Sequence, residues 1–402
     1  MNANREAGGN VFAIIRDHSR FTIQKGRAMQ QSESEFDAWH MARAIELAAR
    51  GEGLVEPNPM VGCTLVADGE TVGEGWHQRF GGPHAEIEAL QSAGARARGA
   101  TAFVTLEPCC HQGKTGPCTR ALIAAGVSRV VIAQQDPFPE VSGKGIAELR
   151  GVGIAVDVGL LESEARQLNA PYLKLVETGR PWIIAKWAMT LDGKIATRSL
   201  DSRWVSSHAS REIVHQLRGR VDAIMIGRAT AEADDPLLTA RPPGARTAVR
   251  IVLDSAASLA DTSQLVRTAR QSPVLVATGQ QAAAKDRQRL TAAGCEVIEC
   301  PGESQADRLA WLLGELGRRQ MTNVLVEGGG QVLGSLFDLG QIDEVHAFIA
   351  PKLIGGAGAV VPIGGSGIEQ MSQAIKLSAP RIEQCGGDTY ISGRVERHSP
   401  GE

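Results

Sequence analysis

Two short stretches of this chain hold residue types that can do metal-assisted chemistry. They are GPHAEIEAL, residues 82–90, and LEPCCHQGKTGPC, residues 106–118. Imidazole and thiolate are soft metal ligands, and a carboxylate beside a metal site can carry protons. His84 stands two residues before Glu86, and Cys109, Cys110 and Cys118 crowd into ten positions. Zinc-assisted hydrolysis needs three protein ligands, one open position for water and a separate carboxylate.

The order His-x-Glu, then Pro-Cys, then a second Cys is the pattern by which zinc enzymes deaminate bases. His84 and Glu86 supply the first half; Pro108-Cys109 and Pro117-Cys118 supply the thiolates. Thiolates near a helix N-terminus are stabilised by its free N–H groups. Eight residues separate Cys109 from Cys118 rather than two, which marks an inserted loop. Each piece alone says little: His-x-Glu is common on solvated helix faces, and a Cys pair is commonly core. Their combination, after a strand and before a helix, carries the reading. Adjacent thiols cannot both reach one tetrahedral ion from the same turn, so Cys110 packs beside the site. Cys63 reads as core, Cys295, Cys300 and Cys385 as buried or incidental thiols, and His77 as structural. A closed structural zinc site, with Cys110 or His111 as fourth ligand, is the rival reading.

A second stretch, NVLVEGGGQVLGSLF (323–337), is a strand, three glycines and an amphipathic helix. Gly328–Gly330 would let backbone approach a phosphate at a helix N-terminus. The run is not GxGxxG, and a tight strand-to-helix turn would look the same. Asp234 and Asp235 alone suggest a metal or a helix cap; no metal is assigned there.

These residues must be held by folded elements. With 402 residues, 43% of them apolar, the chain can bury more than one core. A net charge of −3 without a basic run, and only 4% aromatics, argue against a nucleic-acid partner and so against a nucleic-acid-editing deaminase. No apolar run is long enough to span a bilayer. Seven cysteines, three of them crowded together, fit a metal site in a reducing cytoplasm better than a disulfide framework. Residues 1–34 read as an irregular tail. Helical spacing of Phe36, Trp39, Ala42, Ile45 and Ala49 predicts a helix over 35–50, and Asp68-Gly69 predicts a hairpin within 60–77. Helices and strands then alternate to residue 160, which implies a layered α/β domain with a mostly parallel sheet. Residues 161–180 read as a helical connector. A second α/β domain follows over 181–396, with strands near 182–189, 222–227, 249–253, 273–277, 322–327 and 344–350 and a closing strand from 389.

Beyond the zinc motif, PNPMVGC (57–63), GPHAEIEAL, VTLEPCCHQGKTGPC and DPFPEVSGKG (136–145) resemble the deaminase half of the bifunctional riboflavin-biosynthesis deaminase/reductase family. KWAMTLDGKIA (186–196), SRWVSS (202–207), DAIMIGRATAEADDPLLTAR (222–241) and VEGGGQVLGSLF (326–337) resemble its reductase half. The resemblance covers roughly 36–395. It implies a three-layer cytidine-deaminase-like domain over 35–160 and a dihydrofolate-reductase-like domain over 181–396. It implies hydrolytic deamination of 2,5-diamino-6-ribosylamino-4(3H)-pyrimidinone 5′-phosphate. NADPH-dependent reduction then gives 5-amino-6-ribitylamino-uracil 5′-phosphate. Zn2+ would be held by His84, Cys109 and Cys118, with Glu86 moving protons and zinc lowering the pKa of water toward ~7. Asn58, His111, Lys114 and Asp136 would face the first substrate. Cofactor contacts are implied for Ala188, Trp204, Thr230, Asp234, Ser255 and the run Gly329, Gly330, Gln331, Val332, Leu333, Gly334, Ser335. The second substrate would meet Ser202, Arg218, Leu238, Arg241 and Glu327, the planar guanidinium forks suiting a sugar phosphate. Phe138 stands where the family carries Asn, which removes an amide donor, and Cys110 stands where Ser is common. The partners expected are these small molecules and further copies of the chain in a homo-oligomer, without nucleic acid or membrane.

Overall fold

Asp68 and Gly69 both take positive φ (50° and 78°), so a two-residue turn joins β1 (Gly62–Ala67) to β2 (Glu70–Trp76) as an antiparallel hairpin. The computed structural model describes residues 33–112 and 116–396. The expected tail to residue 32, and Lys114, lie outside them. Those residues form two compact units, dividing between Glu177 and Thr178.

In the first unit the hairpin leads into β3 (Thr101–Val104), β4 (Arg129–Ile132) and β5 (Ala155–Val158), giving one sheet in the order β2-β1-β3-β4-β5. β1 is antiparallel to β3, and β3, β4 and β5 run parallel. Alternation along the strands divides two apolar layers. On one face, Val66, Phe103 and Val131 pack with Met41 and Ile45 of α1 (Glu33–Ala49) and Ala165 of α5 (Glu162–Leu168). On the other, Leu65, Val104 and Ile132 meet α2 (Ala85–Ala93), α3 (Cys118–Ala125) and α4 (Lys144–Gly151). The unit is a three-layer α/β/α sandwich. Gly75 is dictated by this packing, since a Cβ there would sit 2.4 Å from Ala85 O.

Residues 161–180, expected as one helical connector, hold two helices, α5 and α6 (Ala170–Thr178), which belong to the first unit as far as Glu177. Asn169 stands between them, 1% exposed, its carboxamide accepting from Met60 N and donating to Met60 O, both at 2.8 Å. That pair of bonds ties the helices to the Pro57–Met60 loop.

The second unit is built on β6 (Trp182–Thr190), β7 (Ala223–Gly227), β8 (Val249–Leu253), β9 (Val274–Gly279), β10 (Glu296–Cys300), β11 (Asn323–Val326), β12 (Glu344–Ala350), β13 (Leu377–Cys385) and β14 (Asp388–Val395). Their order is β10-β9-β8-β7-β11-β6-β12-β14-β13, parallel except for the last two pairings. One face is covered by α11 (Gln305–Arg318) and α12 (Gly330–Asp338), the other by α7 (His208–Arg218), α8 (Arg228–Asp234), α9 (Gln264–Arg267) and α10 (Ala284–Ala293). β10 and β13 are additions to the strands read from the sequence.

Candidate functional sites

The first site sits where two helices begin. His84 is the N-cap of α2 and Cys118 opens α3, while Cys109 ends the segment leaving β3. His84 Nδ1 lies 3.5 Å from Cys109 Sγ and 3.3 Å from Cys118 Sγ, and all three ligand atoms fall within 4.8 Å of one another. Zinc bonds of ~2.3 Å to sulfur and ~2.0 Å to nitrogen at tetrahedral angles separate N from S by about 3.5 Å. The donor set fits that ion. Hydrogen bonding from the Cys118 thiol holds the Cys109 thiol down to about 4, with His84 and the Cys118 N–H adding to it, so Cys109 is the ready thiolate. Among the described residues neither Cys110 nor His111 joins the group, which speaks against a closed four-ligand site.

Glu86, in the first turn of α2, is 3% exposed, and its Oε2 has no hydrogen-bond partner. Burial pushes its carboxyl up, and the neighbouring Cys109 charge adds to that. A buried carboxyl oxygen without a partner is costly unless something polar meets it. Cys63, fully buried in the strand beneath, is core.

Around this centre, Asn58 Nδ2 lies 3.2 Å from His77 Nε2, and His77 Nδ1 lies 2.9 Å from Pro83 O. The carbonyl fixes the proton on Nδ1, so Nε2 accepts from Asn58 and the Asn58 Oδ1 is left free as an acceptor. His77 is therefore more than structural: it orients Asn58. Nothing in its sequence spacing marks it. Asp136, 6% exposed, accepts from Phe138 N and from the Tyr172 hydroxyl, both at 2.9 Å. His111 Nδ1 is buried without a partner, and the Phe138 ring lies 6.5 Å from the His111 ring.

The second site is a cleft of about 1050 Å³ over the C-terminal ends of the parallel strands. Ala188, Trp204, Thr230, Asp234, Ser255 and Gly329–Val332 line it, as do Ser202, Arg218, Leu238, Arg241 and Glu327. Leu333, Gly334 and Ser335 do not: Leu333 is buried in the core, and the Ser335 hydroxyl bonds Gln331 O and Gln305. Packing rather than a ligand explains two glycines of this run. A Cβ on Gly330 would lie 2.5 Å from Val361 O, and one on Gly334 would lie 2.4 Å from Gly364 C. Gly329 N donates to Thr230 Oγ1 (3.0 Å), which props the turn.

At the centre of the cleft Glu327 receives a two-pronged bond from Arg218 (2.6 and 2.8 Å), with Lys186 Nζ 3.7 Å away. Burial alone would raise the Glu327 carboxyl, but Arg218 outweighs it and holds it at about 2; burial pushes Lys186 down. Lys186 is a cleft residue that the sequence reading did not single out. Ser202 Oγ donates to Asp234 Oδ1 (2.7 Å), Lys352 Nζ donates to Trp204 O (2.7 Å), and Arg211 stacks over the Trp204 ring at 4.6 Å. No helix among the described residues is long and apolar enough to cross a membrane.

Comparison with known proteins finds relatives of both units. Residues 34–134 match the cytidine and deoxycytidylate deaminase zinc-binding region, and residues 181–391 match the RibD C-terminal domain. The riboflavin biosynthesis protein RibD of Actinobacillus pleuropneumoniae is 43% identical over 355 residues, 88% of this chain and 94% of that protein. RibD of Escherichia coli is 40% identical, covering 88% and 98%. The solved structure of Acinetobacter baumannii RibD superposes with a TM-score of 0.79 at 35% identity, over 91% of this chain and all of that one. A Thermotoga maritima structure described as a diaminohydroxyphosphoribosylaminopyrimidine deaminase/5-amino-6-(5-phosphoribosylamino)uracil reductase gives 0.77 at 35%, over 90% and 99%.

Proposed function

This chain belongs to the RibD family of bifunctional riboflavin-biosynthesis deaminase/reductases, and from that premise we propose how its residues share the two reactions. In the first, water replaces the amino group of 2,5-diamino-6-ribosylamino-4(3H)-pyrimidinone 5′-phosphate and ammonia leaves. His84, Cys109 and Cys118 would hold zinc, which when bound supplies Lewis-acid activation of water near neutral pH. Glu86 takes a proton from the attacking water and returns protons to the ring nitrogen and the departing amine. Its burial favours the protonated form, so the proton is retained until the leaving group needs it. Asn58, held by His77, offers Oδ1 to the pyrimidine edge, and Asp136 with His111 faces the ribose-phosphate side.

In the second reaction the deaminated product's ribosyl ring opens and its C1 carbon is reduced, giving the ribityl side chain. NADPH, when bound, supplies the hydride. Ala188, Trp204, Thr230, Asp234, Ser255 and the Gly329–Val332 segment form its side of the cleft. Ser202, Arg218, Leu238, Arg241 and Glu327 form the substrate side. Lys186, whose ammonium burial makes a readier proton donor, would give a proton to the sugar oxygen released on opening. Ligating thiols need a reducing compartment, which supports a cytoplasmic setting, and all seven cysteines are free. The exposed Ile382 on β13, with Met371 and Ile375 exposed just before that strand, supports a homo-oligomer.

One observation carries the first assignment: the partnerless Glu86 Oε2 buried beside the three-ligand group. Glu86→Gln keeps size and zinc ligands while removing the proton carrier. Deamination should fall by about 10²–10⁴-fold, zinc content should stay stoichiometric, and NADPH-dependent reduction of deaminated substrate should persist. Near wild-type deamination by that variant would remove Glu86 from the reaction.

A further inference from the structure

Arg250, on β8, is 1% exposed and lies on the sheet face that carries Leu238, Val252, Leu265 and Ala269. No carboxylate stands within ion-pairing distance of it among the described residues. Its charge is answered by neutral acceptors alone: Nη1 donates to Leu237 O (3.2 Å) and Thr268 Oγ1 (2.8 Å), and Nη2 donates to Thr268 O (3.1 Å) and Ser272 O. Its Nε has no partner. A buried guanidinium without a counter-ion is an expensive way to fill a core, and an apolar side chain would cost less. What it gains is a rigid fork that fixes several carbonyls at once.

Thr268 O and Ser272 O anchor the fork to the turn before β9, and Leu237 O is what it reaches for on the cleft side. Leu237 lies in the loop from Asp235 to Arg241, where Asp235 and Leu238 hold left-handed backbone (φ 39° and 52°) that non-glycine residues adopt at a cost. The surroundings must hold the loop in place. From α9, Gln264 N donates to Asp235 Oδ1 at 2.7 Å. From the cleft side, Arg218 and His215 approach Thr239 O at 3.4 and 3.2 Å. From beneath, Arg250 takes Leu237 O. Leu238 and Arg241 line the cleft, whereas Arg250 does not.

We propose that Arg250 is a positioning residue for the reductase: it sets the loop that presents Leu238 and Arg241 to the phosphorylated sugar. The proposal rests on the substrate-side reading of those two residues given above. The bifunctional chain provides its own control, because the deaminase reaction uses none of this unit's residues.

Arg250→Met removes the fork and keeps the length. The KM of the reductase for deaminated substrate should rise about tenfold, with kcat within about twofold. NADPH affinity, read by quenching of tryptophan fluorescence, and deaminase rate should be unchanged. Thr268→Val, which removes the Thr268 Oγ1 acceptor together with its own bond to Gln264 O, should raise KM by about two- to threefold and serves if the first variant does not fold. An unchanged KM in either variant overturns the proposal. So does a parallel loss of kcat and NADPH affinity, which would make Arg250 a general support of the unit. Arg241→Ala separates the premise: if it leaves KM untouched, the substrate-side reading fails whatever Arg250 does.

Discussion

The deaminase site is assembled from neighbours in sequence, the reductase site from strangers. His84 and Glu86 share one helix start, and Cys109 and Cys118 bracket one loop, so a few turns of chain bring four chemical groups together. The reductase cleft instead gathers Lys186 from β6, Arg218 from α7, Asp234 from α8 and Glu327 beyond β11. Zinc ligation demands fixed distances within one coordination sphere, which short segments can satisfy. A dinucleotide and a sugar phosphate are long, and a surface spread over many strand ends is needed to hold them. A local site can be emptied with one reagent, whereas a distributed one can only be worn down residue by residue.

The largest expected effect exploits that difference. Chelation of the holoenzyme should reduce deamination to background, and stoichiometric zinc should restore it, while NADPH-dependent reduction of deaminated substrate continues at its original rate. Paired assays on one sample check this. If both activities fell together, the zinc site would be supporting the whole chain rather than one reaction.

The same contrast governs what the sequence reveals. The hairpin is legible because Asp68-Gly69 satisfies two positive φ values locally, and the ligand set because its spacing is local. β13 leaves no mark in the sequence: it carries Pro380, its register shifts between Ser378 and Arg381, and most of its residues are exposed, so no alternating pattern announces it. β10 is a five-residue edge strand with two glutamates. The break between α5 and α6 depends on Asn169 meeting Met60, 109 positions away. Lys186 and His77 acquire their roles only from such distant partners. The packing demand on Gly330 and Gly334 comes from the crossing segment at 361–365, which no linear pattern shows.

A smaller effect separates the units by acid. His40 is 2% exposed among Phe36, Trp39 and Phe103, and burial pushes its pKa down to about 4, against weaker upward pulls from Asp37 and Glu74. The unfolded chain binds this proton near 6.5 and the folded one near 4. The native state is therefore penalised as pH falls through that window, and the stability is fully present above it. Discounted for residual solvent, the loss is about 2 kcal/mol. His40→Phe should flatten the decline, measured as the pH-dependent difference in denaturant midpoint from wild type, in which every other titrating group cancels. Parallel curves for the two proteins would show that His40 is not what the acid finds.

The smallest expected effect tests whether the two units, so unlike in how their sites are gathered, hold their substrate loops by one principle. Glu107 is 4% exposed and has no cationic partner among the described residues. Its carboxylate accepts from four backbone N–H groups: Asp136 (3.3 Å), Gly143 (2.9 Å), Gly145 (2.9 Å) and Ile146 (3.1 Å). It thus gathers N–H donors of the Asp136–Ile146 loop, as Arg250 gathers carbonyls. The loop then lies so close that a Cβ on Gly145 would meet Pro108 O at 2.2 Å. Glu107→Gln keeps the shape but turns one accepting oxygen into a donor facing donors, which leaves buried N–H groups unpaired. The loop carries Asp136, so the expected outcome is a deaminase KM raised about tenfold with kcat within about threefold. Zinc content and the reductase should be untouched. Steady-state kinetics beside metal analysis decide it. Should kcat fall together with bound zinc, Glu107 braces the Cys109 segment instead, and the likeness to Arg250 ends at the geometry.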